Sequence, residues 1–122
     1  MAWGFDVGRD DTIFWITDIG WMMRPWLIFG SLSQGATMVL YEGTPDTPGP
    51  DRMWRMIADH GVTVFGCAPT LVRSLMSAGD EHPRKHDLSS LRILGGTGEA
   101  WNPEPWPWFF HPVGGGRLPV VN

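Results

Sequence analysis

The 122-residue sequence predicts an α/β fold, a mainly parallel sheet flanked by helices, in one segment spanning residues 1–122. Two observations predict it. Short runs of β-branched, aliphatic and aromatic residues alternate with segments whose apolar residues recur at helical spacing. The connections between successive runs are long enough for right-handed crossovers, which join parallel neighbours rather than hairpins. Sheets built this way carry helices on their faces.

Residues 1–11 read as a polar lead-in, with Asp6, Arg9, Asp10 and Asp11 ahead of the first apolar run. Thr12 to Asp18 is β-branched and aromatic and ends at Ile19-Gly20, as a buried strand entering a loop does. From Met22 to Gln34 the residues Met22, Met23, Trp26, Leu27, Ile28 and Leu32 fall mostly at helical spacing, with Pro25 in the first turn and Gly35 just past the end. Ala36 to Tyr41 is the second strand, and the Pro- and Gly-rich stretch Glu42 to Pro50 is a loop. Asp51 offers a cap for a helix with Met53, Trp54, Ile57 and Ala58 on one face and Gly61 as its stop.

Val62 to Cys67 is the third strand, and Pro69 opens a helix with Leu71, Val72, Leu75 and Met76 as its buried stripe. Gly79 to Ser90 reads as a polar, solvated connection, and Leu91 to Leu94 as the fourth strand. Pro103, Pro105 and Pro107 alternate, so a short or distorted helix is expected over Trp106 to His111. Leu118 to Val121 is the last strand.

Composition narrows the function. Nine Lys and Arg against 13 Asp and Glu give a net charge of −4 and a pI near 5.4, which argues against a nucleic-acid or anionic-membrane surface. A hydrophobic content of 43% with 18% charged residues supplies a core rather than a disordered tail. Lys85 is the single lysine and sits in a polar connection, so a phosphate-gripping lysine is not expected here. The lone Cys67 leaves no intramolecular disulfide and no multi-thiolate zinc site, which fits a reducing, cytoplasmic setting. The most apolar window, Ile19 to Gly30, is broken by Arg24 and Pro25 and is too short to span a bilayer.

Ligands on parallel sheets bind beyond the carboxyl ends of the strands. That rule selects Asp18 to Met23, Glu42 to Asp46, Cys67 to Thr70 and Gly95 to Ala100. Gly95-Gly96-Thr97-Gly98-Glu99 follows a strand, where missing Cβ atoms let backbone approach a flat or anionic ligand; a tight turn explains the same glycines. Glu99 is a candidate contact for a nucleotide or ribose, or a charge favouring the dipole of the next helix. His82 and His86 are spaced as metal ligands on a helix would be, but Pro83 and the lack of a third ligand favour a solvated loop. Cys67 reads as a core residue, and the eight tryptophans as packing or interface residues.

Taken together, Thr17-Asp18-Ile19-Gly20-Trp21, Gly35-Ala36-Thr37 with Tyr41-Glu42-Gly43, Ala68-Pro69-Thr70, Asp87 to Gly95 with Gly98-Glu99, and Leu118 to Asn122 resemble AMP-forming acyl-CoA synthetases in order and spacing. The branch most resembled is that of acetyl-CoA synthetases. The resemblance implies that a carboxylate attacks ATP, giving an acyl-AMP and pyrophosphate, before thioester formation with CoA (coenzyme A), with Mg2+ accompanying the ATP. It places Gly98, Glu99, Ala100 and Asn122 at the adenine nucleotide (ATP/AMP), Trp21 and Thr97 beside the acyl pocket, and Met23, Asp46 and Ala68 on the CoA side. Ala100 stands where the family has Pro, Arg24 where Gly is usual, and Met23 and Asp46 where acetyl-CoA synthetases often carry Thr and Asn; Pro107 intrudes on a family helix.

The family's Lys-ended phosphate loop, its magnesium motif and its C-terminal adenylation lysine find no match in this chain. The resemblance is therefore to an internal fragment of the large N-terminal domain, with no metal ligands of its own. Such a fragment is expected to be inactive alone, since electrostatic stabilisation of the phosphorus transition state is largely lost. The alternative is a non-catalytic binding or interaction module that self-associates through exposed Trp and uncovered sheet edges. A compact enzyme centred on Glu99 is a third reading, without a nameable acid–base partner.

Overall fold

Alternating side chains divide each strand between two cores, and that division sets the architecture. In the computed structural model, which describes residues 1–122, the chain runs α1 (Ala2–Phe5), β1 (Thr12–Trp15), α2 (Met23–Gln34), β2 (Thr37–Val39), α3 (Arg52–His60), β3 (Val64–Cys67), α4 (Pro69–Ala78), α5 (Glu81–Arg84), β4 (Ile93–Gly96), α6 (Pro105–Trp108), a π-helical turn (Phe109–Val113) and β5 (Val120–Val121). The five strands form one sheet in the order β2-β1-β3-β4-β5. Every pairing is parallel, with Phe14 opposite both Val39 and Phe65, and Gly66 opposite Gly95.

Phe14, Phe65 and Leu94 point to one face, where α3, α4 and the α6 region cover them with Trp54, Ile57, Val72, Leu75 and Phe109. Ile13, Trp15, Val64 and Ile93 point to the other, against Phe5, Val7, Leu27 and Ala36. This period of two lets a strand such as β3, buried along its whole length, serve both cores.

Trp15 decides which residues its neighbours can be. A Cβ on Gly66 would fall inside its ring, and one on Gly95 would lie 2.6 Å from it. Trp101 covers Gly96 in the same way. Gly95 and Gly96 are therefore strand residues vacated for indoles, neither part of a tight turn nor open to a ligand.

Four strands are shorter than expected from sequence, β1 stopping at Trp15, while β4 keeps its expected four residues but is shifted by two, from Ile93 through both glycines. Helices α2 and α3 end where expected, at Gly35 (φ 70°) and Gly61 (φ 57°), both left-handed as glycine permits. Of the stripe expected on α4, Val72 and Leu75 are buried and Leu71 and Met76 half-buried. The alternating prolines do give a distorted helix, α6 passing directly into the π-helical turn that contains Pro112.

Two elements have no counterpart in the sequence reading. The lead-in contains α1, which delivers Phe5 to the core. The connection after Gly79 contains α5, anchored by buried Pro83. The expected solvated loop is thus corrected: the His86 side chain is only 18% exposed and binds Asp51 Oδ2 through Nε2 at 2.9 Å. Asp51 stands at the start of α3 but makes no capping bond, its carboxylate being turned to His86.

At the amino edge of the sheet, Asp11 receives Arg92 Nη2 at 2.6 Å, Arg92 Nε at 2.8 Å, the Thr63 hydroxyl at 2.7 Å and the Gly8 amide at 2.9 Å. These bonds, led by that to Arg92, hold its carboxyl down at about 2. No helix is long and apolar enough to cross a membrane.

Candidate functional site

Because every strand is parallel, all five carboxyl ends share one edge of the sheet. Strand order reverses at β1, with β2 on one side and β3 on the other, so the crevice rule points to the loops following β1 and β3. Along this edge lie Trp21 after β1, Asp46 after β2, Ala68 after β3, Thr97, Gly98, Glu99 and Ala100 after β4, and Asn122 after β5. Met23 opens α2 and packs against the Trp15 cluster.

Glu99 makes the one close connection between two of these loops. Its Oε1 accepts the Thr70 amide N–H at 2.8 Å and the Thr70 hydroxyl, and its Oε2 accepts Arg73 Nη2 at 3.0 Å. Arg73 Nη2 also donates to the Thr70 hydroxyl oxygen at 2.6 Å. Helix α4 has Ala68 at its cap position and no capping side chain of its own, so a carboxylate 29 residues further along occupies its amino terminus. The Thr70 hydroxyl, and then Arg73, hold the Glu99 carboxyl below the ordinary range. Glu99 does not serve the helix that follows it, which begins only at Pro105.

Gly98, just before it, has φ 98° and no heavy atom within 4 Å of where a Cβ would stand. The backbone here is open to approach, in contrast to Gly95 and Gly96.

Two clefts open on this edge. One, of about 420 Å³, lies between the loop after β2 and α4 and includes Thr44, Asp46, Leu71, Ser74 and Leu75. The other, of about 360 Å³, is lined by Thr17, Asp18, Arg24, Tyr41, Glu42 and Gly43. In it Arg24 Nη2 donates to the Thr17 carbonyl at 2.5 Å, while its Nε is buried without an acceptor. Burial pushes the Tyr41 hydroxyl pKa up, against the opposing pull of Arg52, whose guanidinium lies 5.1 Å from the ring centre. Arg52 also ties down the loop between the clefts, donating to the Glu42 and Thr44 carbonyls at 2.7 Å each.

The remaining candidates are inert. Cys67 is wholly buried, and desolvation pushes its thiol far up, so it is no nucleophile. No three His, Cys, Asp or Glu side chains are gathered as a metal site.

A family model described as "AMP-binding enzyme" matches residues 1–122. The chain belongs to this family. Among its curated relatives, an acetyl-coenzyme A synthetase of Rubrobacter xylanophilus is 49% identical over 122 residues, covering 98% of this chain and 19% of that protein. One from Pyrobaculum aerophilum is 50% identical over 120 residues, covering 97% and 18%. A solved acetoacetyl-CoA synthetase from Streptomyces lividans superposes with a TM-score of 0.86 at 32% identity, over 99% of this chain and 19% of that one. The chain thus spans about a fifth of the length of the relatives it matches.

Thr70 and Arg73 are the site residues that sequence reasoning missed as partners of Glu99. Their spacing of three places both on one face of α4, but nothing local in the sequence joins that face to residue 99.

Proposed function

We propose that this chain supplies adenine-nucleotide, acyl and CoA surfaces to an AMP-forming acid–thiol ligase of the acetyl-CoA synthetase kind. In that reaction a carboxylate oxygen attacks the α-phosphorus of ATP, pyrophosphate leaves, and the acyl group then passes to the CoA thiol with release of AMP. The observation that carries this reading is the loop Thr97–Ala100, open at Gly98 and tied to α4 through Glu99, at the carboxyl edge of a parallel sheet.

Around that loop, Gly98, Glu99, Ala100 and Asn122 are assigned to ATP or AMP, Trp21 and Thr97 to the acyl group, and Met23, Asp46 and Ala68 to CoA. The open backbone at Gly98 fits the approach of a flat base. The residues present do not fit a bound Mg2+, since no three metal-ligating side chains are gathered on this chain. The one lysine, Lys85, caps α5 on the surface, and Arg73 is engaged by Glu99. On these grounds the 122 residues bind nucleotide without turning it over. The same reading places the protein in the cytoplasm.

The test is thermal stabilisation by AMP and ATP, since a ligand bound only by the folded chain raises its Tm. A shift that Glu99→Ala abolishes supports the reading; no shift at saturating nucleotide defeats it. Pyrophosphate release from ATP and acetate by the isolated chain would overturn the inactivity.

A second reading, an interaction module, is favoured by the exposure of Trp3, Trp21, Phe29 and Leu32. Its mark would be concentration-dependent association, measured by sedimentation, that nucleotide does not alter.

A further inference from the structure

Residues 97–100 have no regular structure, and Gly98 has no side chain to anchor them, so a single loop shape here needs support from outside. Glu99 is placed to give it. Both of its oxygens are taken by donors from α4, two on Oε1 and one on Oε2. The carboxylate is thus turned towards the protein and is matched by a guanidinium and by the positive end of a helix. A bare carboxylate beside a nucleotide would repel its phosphates; one neutralised in this way does so far less.

We propose that Thr70 and Arg73 are positioning residues that act through Glu99 to set the Thr97–Ala100 backbone in the shape that receives an adenine nucleotide, the Glu99 side chain being a strut while its backbone lies with the ligand-facing loop. The proposal rests on the nucleotide reading above and adds to it a division of labour. The backbone of the loop meets the ligand, while side chains 26 and 29 residues away hold that backbone still.

The experiment measures AMP affinity of the 122-residue chain by isothermal titration for the wild type, Arg73→Gln, Glu99→Gln and the double variant, with Arg73→Lys as the conservative control and melting curves on each. Each glutamine variant is expected to weaken AMP by about tenfold, as loss of a hydrogen bond between charged groups implies. The double variant is expected to be no weaker than the worse single one, because both changes remove the same link. Arg73→Lys is expected to recover most of the affinity, since only one guanidinium nitrogen reaches Glu99. A purely structural role would follow the melting temperature and show no such rescue.

Equal AMP affinity in Arg73→Gln and wild type would overturn the strut while leaving the nucleotide reading intact. Additive losses would also overturn it, making the Glu99 carboxylate a direct contact. A wild-type chain that binds neither AMP nor ATP would defeat the nucleotide reading and the strut with it. Should Arg73→Gln fail to melt cooperatively, Thr70→Val, which deletes the shared hydroxyl, carries the same comparison.

Discussion

Glu99 stands on the amino terminus of a helix to which it does not belong, its Oε1 2.8 Å from the Thr70 amide nitrogen. Helix α4 opens with Ala68-Pro69, where Pro69 has no N–H to satisfy and Ala68 no side-chain oxygen to offer. A carboxylate from the loop after the neighbouring strand fills the gap, so the β3 and β4 loops are one unit across the crevice.

That unit has a stability signature separate from any ligand. Thr70→Ala removes the hydroxyl shared by Glu99 and Arg73 and leaves the backbone bond to Glu99. The expected outcome is a lower Tm for Thr70→Ala than for wild type, and a further fall for Glu99→Ala, which strips α4 of its acceptor altogether. Circular dichroism melts of the two variants check the order.

The indole of Trp15 fills the space of two missing side chains, and both glycines are therefore fixed by it. Gly95→Ala drives a methyl into the ring and is expected to destabilise the chain by about 1–3 kcal/mol. Replacing the indole in the double variant Trp15→Leu/Gly95→Ala should give a loss smaller than the sum of the two single losses. Urea unfolding of the three variants decides it.

The Asp11–Arg92 cluster predicts acid sensitivity. Asp11 titrates at about 2 in the folded chain against 3.8 ordinarily, so its contribution, about 2 kcal/mol, is whole above pH 3.8 and drains away as the pH falls toward 2. Asp11→Asn is expected to be less stable at neutral pH and to lose less stability between pH 4 and pH 2. Denaturant midpoints across that range provide the check; parallel curves for the two proteins would contradict the assignment.

Arg52 predicts a local effect. Its guanidinium holds the Glu42 and Thr44 carbonyls and covers Tyr41, so Arg52→Ala releases the Pro-rich loop without emptying the core. Limited proteolysis should cut faster between residues 42 and 50, with little change in the urea midpoint.

Local chemistry was legible in the sequence and distant pairing was not. Gly35 and Gly61 stop their helices as read, because a left-handed terminus is a property of one residue and its neighbours. The distorted helix near Trp106 follows from three prolines close together. The reason for Gly95 is not legible because Trp15, which requires it, lies on another strand. Helix α1 is not legible because its four residues, Ala2–Phe5, are too few to show a helical period, and only the finished sheet gives Phe5 a surface to cover. The His82–His86 stretch looked solvated because the Asp51 that receives His86 is 35 residues away. The edge that carries the candidate site was legible, since it follows from strand direction; the bond from Glu99 to Thr70 was not, since it depends on which loops become neighbours.

The clamp at the opposite edge joins parts of the chain that are made far apart in time. Asp11 precedes Arg92 by 81 residues, so β1 leaves the ribosome long before the cation that neutralises its entrance has been made. Through that interval Asp11 has only Gly8 and then Thr63 for company. Thr63 can join Asp11 to β3 by a neutral hydrogen bond as soon as it is made, whereas the ionic partner is added only with Arg92, just ahead of the fourth strand.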